Sequence, residues 1–154
     1  MKLKGTKGYS SGIDMKSIRP LKYIASNRHP LFSSRIPAGF PSPADDYIDK
    51  RLDLNELLIK HPSATFFVKV SGDSMADAGI SSGDTLIVDR AEQAGNKSII
   101  IAALNGELTV KRLVKRNGEV YLMPENSEYG SIKITEEMDF EVWGVVMHVI
   151  HTVK

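Results

Sequence analysis

The stretch SIIIAALNGELTVKRLV, residues Ser98–Val114, decides the class of fold. Two strand-like runs, Ser98–Leu104 and Glu107–Val114, flank the pair Asn105-Gly106, which is a strong signal for a two-residue β-hairpin turn. Because such a turn joins neighbouring antiparallel strands, this stretch predicts a hairpin within a β-sheet.

Further strand-like runs lie on both sides of this hairpin. They cover Thr65–Val70, Thr85–Val88, Val120–Met123 and Val142–Ile150. Asn117-Gly118 signals a second hairpin between the strands on either side of it. Many short strands joined by tight turns, with little helix, predict a mostly β domain with an antiparallel sheet.

One short helix is predicted before these strands. Asp53 is followed three residues later by Glu56, which is the capping pattern of a helix start. The leucines of this helix fall on one face and are Leu54, Leu57 and Leu58. We therefore expect the helix to pack against the sheet and to end before Pro62.

The composition suits one globular domain with an extra arm, because 42% of the 154 residues are hydrophobic and 25% are charged. The chain has no cysteine, which excludes disulfides, thiolate metal sites and cysteine nucleophiles and fits a reducing compartment. No apolar run approaches the roughly 20 residues that span a bilayer. We therefore expect a cytoplasmic protein that does not contact membranes.

Residues 1–38 differ from the rest of the chain in charge. They hold eight Lys or Arg and one acidic residue, a net charge of +7, so the remaining residues carry −6. These residues contain several glycines and prolines, and their apolar residues follow neither helical nor strand periodicity, so we expect an extended arm. The arm could dock on its own acidic body, contact nucleic acid or stay solvated. It is too short and irregular to be a helix-turn-helix domain.

The segment Ile36–Pro43, IPAGFPSP, ends this arm. Its prolines hold the backbone extended. Between them, Ala38-Gly39 is the least obstructed peptide bond, and an extended segment with small central residues is the shape that a protease cleft accepts. A plain linker is the competing interpretation, because most clusters of proline and glycine are linkers.

A candidate nucleophile lies in Val70–Asp84, VSGDSMADAGISSGD, between two predicted strands. The glycines of this loop allow sharp turns, and a serine of this stretch would lie near a strand end among small neighbours. Exposure and room for a substrate backbone are what a nucleophilic serine needs. The competing interpretation is an ordinary loop, since serine, glycine and aspartate are the usual loop residues.

A candidate general base lies on the predicted strand Glu107–Val114. Alternation places Lys111 and Arg112 on opposite faces, and both faces mix apolar with charged residues, so one basic side chain could be partly buried. Burial lowers the pKa of a lysine, which lets it act as a general base near neutral pH and activate a serine. A lysine that simply extends into solvent is the alternative.

Other groups of chemically active residues are weaker candidates. The four histidines are His29, His61, His148 and His151. A Ser-His-Asp triad through His61 stays open, although nothing in the sequence favours it. The acidic residues that could suggest a metal site are Asp73, Asp77, Asp84 and Asp89. Turn chemistry explains these residues, and no phosphate-binding or dinucleotide motif is present, so we expect no metal and no cofactor.

Several motifs together resemble the UmuD family, whose members are relatives of LexA and phage repressors. The motifs are Ala38–Pro43 (AGFPSP), Asp53–Leu58 (DLNELL), His61–Thr65 (HPSAT), Ser71–Met75 (SGDSM), Glu107–Leu113 (ELTVKRL), Met123–Ser127 (MPENS) and Trp143–Val146 (WGVV). They keep the order and spacing of the family over residues 38–154. The arm before Ala38 is longer and more basic than the family pattern.

The resemblance implies a self-cleaving serine protease with a Ser-Lys dyad, on the antiparallel β fold of LexA and signal peptidases. By position, Ser74 is the nucleophile, Lys111 is the general base and Ala38-Gly39 is the bond that is cut. Residues 1–38 would be the arm that cleavage removes. Residues 39–154 would be the peptidase and dimerisation domain.

The resemblance also implies an oxyanion site and a set of partners. The backbone N–H groups of Asp73, Ser74 and Met75 would bind the oxyanion. In this family RecA on single-stranded DNA stimulates cleavage after DNA damage, and the product pairs as a homodimer with a UmuC-type translesion polymerase. We expect no sequence-specific DNA binding. The alternatives are a LexA-type or phage-type transcriptional repressor and a non-catalytic dimeric module that binds a polymerase.

Overall fold

The two predicted hairpins are present in the computed structural model. The structure describes residues 19–20, 28–32, 35–36, 38–40 and 48–153. The first hairpin turns at Asn105 and Gly106, where φ is 50° and 83°, and the second at Asn117 and Gly118, where φ is 51° and 77°. Positive φ at both central residues is what a type I′ turn requires, and asparagine and glycine tolerate it best. Both hairpin predictions are confirmed.

The described residues form ten strands. In chain order they are β1 (Arg19–Pro20), β2 (Arg28–Phe32), β3 (Ile48–Asp53), β4 (Thr65–Lys69), β5 (Thr85–Asp89), β6 (Ile99–Leu104), β7 (Glu107–Arg116), β8 (Glu119–Met123), β9 (Ile132–Lys133) and β10 (Phe140–Ile150). Eight of them make one sheet in the order β1-β4-β5-β10-β6-β7-β8-β9, and β2 pairs with β3 in a separate hairpin. All these pairs are antiparallel, which confirms the predicted fold class.

The core lies on both faces of the central strand β6. Ile101 belongs to one buried cluster, together with Val68 and Leu86, whereas Ile100 belongs to a second cluster with Leu122. Successive side chains of a strand point to opposite faces, so a strand covered on both sides is apolar at every position. This explains the unbroken apolar run of β6, and it makes β6 and its neighbours a rigid base for the loops.

The predicted helix is α1 (Leu54–Leu58), and the Asp53 side chain caps it by accepting a hydrogen bond from the Asn55 N–H at 2.8 Å. The expectation that its leucines pack against the sheet is wrong. No residue of α1 is buried, and Leu54 and Leu57 are each 55% exposed. A helix of five residues is too short to present a continuous apolar stripe to a sheet, so its burial does not follow from leucine spacing alone.

Strands β1, β2, β3 and β9 were not predicted. Strands β1 and β2 lie within residues 1–38, where the sequence shows no strand periodicity. The described side chains of β2, those of Arg28–Leu31, are exposed, so this strand lacks the alternation of apolar and polar residues that marks a half-buried strand. The rest of the predicted arm, residues 1–18, 21–27, 33–34 and 37, lies outside the described residues.

Strands β5 and β10 approach each other closely at Gly144. A Cβ at this position would lie 2.7 Å from Val88 Cγ1 and 3.0 Å from the Asp89 carbonyl oxygen, so only glycine fits.

None of the helices in the described part of the chain combines the length and apolar character needed to cross a bilayer.

Candidate active site

Ser74 and Lys111 are 37 residues apart in sequence and in contact in the structure. Lys111 Nζ lies 2.9 Å from Ser74 Oγ. Ser74 is in the loop between β4 and β5, whereas Lys111 lies in β7, and each residue is only 5% exposed. The two residues that sequence analysis assigns to a dyad are therefore neighbours in a buried site.

The Lys111 amine is surrounded by oxygen atoms that carry no formal charge. Besides Ser74 Oγ, Nζ hydrogen-bonds to Thr109 Oγ1 at 3.0 Å and to the Val110 carbonyl oxygen at 3.0 Å. No carboxylate among the described residues forms an ion pair with Lys111. Burial therefore lowers the pKa of Lys111 below its ordinary value, because no negative charge on a described residue pairs with the ammonium to offset its lost hydration.

The loop that carries Ser74 is closed at its base and anchored in the core. Val70 N–H donates to the Asp84 carbonyl at 2.9 Å, and Gly83 N–H donates back to the Val70 carbonyl at 2.9 Å. Met75 and Ile80 are 2% and 1% exposed and belong to the same buried cluster. Because Met75 follows Ser74 directly, burial of its side chain holds the serine backbone in place.

Three consecutive backbone N–H groups at the candidate nucleophile have no acceptor among the described residues. Those of Asp73, Ser74 and Met75 donate no hydrogen bond to any residue that the structure describes. The carbonyl groups of the same residues are engaged, for example that of Ser74, which accepts from Glu125 N–H at 2.8 Å. Free donors beside a serine are what the expected oxyanion site needs.

The predicted cleavage site lies on the surface. Ala38, Gly39 and Phe40 form a bend and are exposed, and Phe40 is 93% exposed. A Cβ added to Gly39 would meet no atom within 4 Å. None of the residues that the structure describes encloses Ala38-Gly39, which is exposed to solvent.

The acidic residues around β5 take part in turns, as expected. Asp84 is buried, and its Oδ2 accepts from Ser81 N–H at 2.8 Å while Oδ1 lies 2.6 Å from His151 Nδ1. These hydrogen bonds, led by that from Ser81 N–H, hold the pKa of Asp84 below its ordinary value. Asp84 therefore stabilises the base of the loop.

His61 is engaged with Asp89 at the other end of β5. Its Nδ1 lies 2.6 Å from Asp89 Oδ2, and Asp89 Oδ1 accepts from Ala91 N–H at 2.8 Å. Burial opposes ionisation of Asp89, but the hydrogen bonds from His61 and Ala91 outweigh it and lower the pKa of this carboxyl group. Glu92 brings a third ligand atom within 4.8 Å, a grouping that sequence analysis missed. The polar contact of Ser74 Oγ is with Lys111, so a triad through His61 has no support among the described residues.

Sequence analysis assigned no role to two residues that contact the site. Thr109 hydrogen-bonds to the Lys111 amine, and its spacing of two residues on the same strand could have identified it. Asn126 Nδ2 donates to the Asp73 carbonyl at 3.1 Å across 53 residues of sequence. No periodicity or turn signal in the sequence points to that contact.

Comparison with known proteins identifies a family of peptidases. A family described as Peptidase S24-like matches residues 30–147. Protein SamA of Salmonella typhimurium (strain LT2) is 46% identical over 137 residues, which cover 89% of this chain and 95% of SamA. Protein MucA of Escherichia coli is 46% identical over 120 residues, which cover 77% of this chain and 82% of MucA.

A repressor is also similar at lower identity. The LexA repressor of Bordetella parapertussis (strain 12822) is 35% identical over 154 residues, which cover 96% of this chain and 71% of the repressor. The family match and these relatives confirm the resemblance to the UmuD family and support a serine peptidase kind of activity. They show that this chain belongs to the Peptidase S24-like family.

Proposed function

We propose that this chain is a self-cleaving serine endopeptidase that cuts its own Ala38-Gly39 bond with a Ser74-Lys111 dyad. The observation that carries the proposal is the 2.9 Å contact between Ser74 Oγ and a buried Lys111 amine of lowered pKa. A lysine in this setting gives up its proton at lower pH than an exposed lysine, which is the requirement for a general base.

The three contacts of Lys111 match the hydrogen-bonding capacity of a neutral amine. Such an amine has two N–H donors and one lone pair. Lys111 Nζ donates to Ser74 Oγ, Thr109 Oγ1 and the Val110 carbonyl when it is protonated, and in the neutral form that the proposed base requires its lone pair would instead accept from the Ser74 hydroxyl while its two N–H groups donate to Thr109 and Val110. This arrangement directs the lone pair at the proton that must be removed.

The reaction then follows the logic of a serine protease. Ser74 Oγ attacks the Ala38 carbonyl carbon while its proton moves to Lys111 Nζ, and backbone N–H groups at Ser74 bind the negative oxygen of the tetrahedral intermediate. Lys111 next donates that proton to the Gly39 nitrogen, which leaves, and Ala38 remains as an ester on Ser74. Water, deprotonated by Lys111, hydrolyses the ester and regenerates both residues.

The biological role that we propose is SOS mutagenesis in the cytoplasm. Cleavage, stimulated by RecA on single-stranded DNA, would release residues 39–154 as a homodimer that serves as the accessory subunit of an error-prone UmuC-type polymerase. The resemblance to the UmuD family and the similarity to SamA and MucA support this role. The basic arm, residues 1–38, would be removed in this step.

The central experiment is incubation of the pure protein at mildly alkaline pH, with and without RecA on single-stranded DNA, followed by mass spectrometry. We expect fragments 1–38 and 39–154, and no cleavage in Ser74→Ala or Lys111→Ala. Ser71→Ala and Lys115→Ala are matched controls, since Ser71 is exposed in the same loop and Lys115 is exposed on the same strand. Cleavage that persists in Ser74→Ala would refute the proposal.

A transcriptional repressor is the second candidate, and the similarity to the LexA repressor favours it. This role requires binding to a specific duplex sequence. A gel-shift experiment on genomic fragments with the Ser74→Ala protein tests it. If no fragment is retained in preference to random DNA, the repressor is excluded, and the sequence predicts that outcome because residues 1–38 are too irregular to form a helix-turn-helix domain.

A further inference from the structure

The segment Pro124–Tyr129, which follows β8, lies along the loop that carries Ser74. Its contacts with this loop run through both backbone and side chains. Glu125 N–H donates to the Ser74 carbonyl at 2.8 Å, and Asp77 N–H donates to the Glu125 carbonyl at 2.8 Å. The Tyr129 hydroxyl hydrogen-bonds to Asp73 Oδ1. The segment thus holds the loop on both sides of the candidate nucleophile.

The same segment is tied to the strand that carries Lys111. Arg112, the residue after Lys111, forms an ion pair with Glu125 through Nε, and its Nη1 donates to the Lys97 carbonyl at 2.7 Å. The loop that carries Ser74 and the strand that carries Lys111 are therefore linked through Pro124–Tyr129, in addition to the direct contact of Ser74 with Lys111.

The side-chain amide of Asn126 is oriented by a hydrogen bond within its own turn. Asn126 Oδ1 accepts from Glu128 N–H at 3.0 Å, which leaves Nδ2 to donate to the Asp73 carbonyl at 3.1 Å. The Asp73 carbonyl also accepts from Ala76 N–H at 3.0 Å, a contact inside the serine loop. Asn126 supplies the contact that joins this carbonyl to the rest of the domain.

The orientation of a carbonyl determines that of the N–H next to it. A peptide unit is planar and trans, so the Asp73 C=O and the Ser74 N–H point in opposite directions. In the same way the Ser74 C=O, held by Glu125 N–H, orients the Met75 N–H. These two N–H groups donate to no described residue, so they are directed away from Pro124–Tyr129 and stay available.

We propose that Asn126 is a positioning residue that aims the Ser74 N–H at the oxyanion by holding the Asp73 carbonyl. The proposal rests on the proposed self-cleavage and assigns to that site a residue outside the dyad. Asn126 itself touches neither the substrate nor the reacting atoms. Its effect on the rate is transmitted through a single peptide plane.

The test is Asn126→Asp. This change keeps the oxygen that accepts from Glu128 N–H and removes the donor to the Asp73 carbonyl, so the local turn survives while the link is lost. Complete loss of an oxyanion donor lowers the rate about 10²–10³-fold, so we expect a donor that is only poorly aimed to lower it about tenfold or more. Asn126→Leu removes the link without adding charge and should behave alike.

The measurement is the rate of self-cleavage as a function of pH, compared on the alkaline plateau where Lys111 is neutral. A purely structural defect would lower the thermal unfolding midpoint, whereas a positioning defect lowers the plateau rate with that midpoint unchanged. Binding of a peptide boronic acid that ends at Ala38, and forms a tetrahedral adduct with Ser74, should weaken by a similar factor. Asn96→Asp is the matched control, because Asn96 Oδ1 accepts from Lys115 N–H at 2.7 Å and its amide donates to no described residue.

Two results separate this inference from the proposed function. If Asn126→Asp and Asn126→Leu cleave at the rate of the unaltered protein while Ser74→Ala is inactive, Asn126 has no positioning role and the dyad stands. A plateau rate that falls only in proportion to a lost folded fraction also overturns the role of Asn126. Cleavage by Ser74→Ala would instead overturn the dyad itself.

Discussion

The two regions that the proposed reaction joins are held in opposite ways. The loop of Ser74 is anchored in the core by Met75, which is 2% exposed, and by hydrogen bonds from Pro124–Tyr129. The cleavage segment has little support of this kind, because Ile36 and Phe40 are 90% and 93% exposed. The proposed catalytic groups are thus fixed by packing and hydrogen bonds, whereas the described residues of the proposed cleavage segment are exposed.

This difference makes a general prediction about substitutions. Changes in the serine loop, or in the strands beneath it, should alter folding as well as chemistry because these residues are buried and hydrogen-bonded. Changes around Ala38-Gly39 should leave the free energy of unfolding almost unaltered, since few native contacts exist there to be lost. The predictions for Met75 and Gly144 below each compare one site of each kind, and stability is measured in the Ser74→Ala background so that cleavage does not interfere.

The largest effect is expected for Lys111→Met. Removal of the base should lower the cleavage rate by at least about 10²-fold. It should also change the pH dependence of stability. Because the pKa of Lys111 is lowered in the folded protein, the unfolded chain binds more protons between that lowered pKa and the ordinary value of 10.5. Stability due to this group therefore rises with pH in that window and is lost below it.

Urea unfolding between pH 6 and pH 10 measures this contribution. The rise in stability with pH should flatten in Lys111→Met and persist in Lys115→Met, where the replaced lysine is exposed on the same strand. An unaltered rise in Lys111→Met would show that the amine of Lys111 is not desolvated in solution, and the proposed base would lose its physical support.

The next largest effect is expected for Met75→Ala. Its buried side chain joins the serine loop to the core, so truncation should lower the free energy of unfolding by about 2–5 kcal/mol. Phe40→Ala removes a larger side chain from an exposed position and should change it by less than about 0.5 kcal/mol. Chemical denaturation of both variants measures the difference. Equal losses would mean that the cleavage segment is packed against the domain in solution.

A smaller effect is expected for Gly144→Ala. The new methyl group would meet Val88 Cγ1 at 2.7 Å and the Asp89 carbonyl at 3.0 Å, so strands β5 and β10 must shift. This shift should lower the free energy of unfolding by about 1–3 kcal/mol. Gly39→Ala adds the same methyl group where nothing lies within 4 Å, and it should change stability by less than about 0.5 kcal/mol. Thermal unfolding midpoints of the two variants provide the measurement. If Gly39→Ala were destabilised and Gly144→Ala were not, the result would contradict the expected difference between the cleavage segment and the packed strands.

Much of the fold could be predicted because its signals are local. The hairpins at Asn105-Gly106 and Asn117-Gly118 depend on turn residues that tolerate positive φ, and the apolar strands follow from burial of alternate or successive side chains. The hairpin of β2 and β3 was missed because the described residues of β2 are exposed. The leucines of α1 were assigned to the core on spacing alone, yet a face is buried only when another element covers it.

The sequence by itself determined the class of fold, the two hairpins and the identity of the candidate nucleophile and base. The fold class and the hairpins depend on residue type and on spacing within a few positions, whereas Ser74 and Lys111 were assigned by the resemblance to a family. The tertiary structure decided that the amine of Lys111 is buried and lies 2.9 Å from Ser74 Oγ. It also decided that Asn126 donates a hydrogen bond to the Asp73 carbonyl, which precedes Ser74. Desolvation and contacts across 37 and 53 residues arise from how the sheet and its loops pack, which no local pattern encodes.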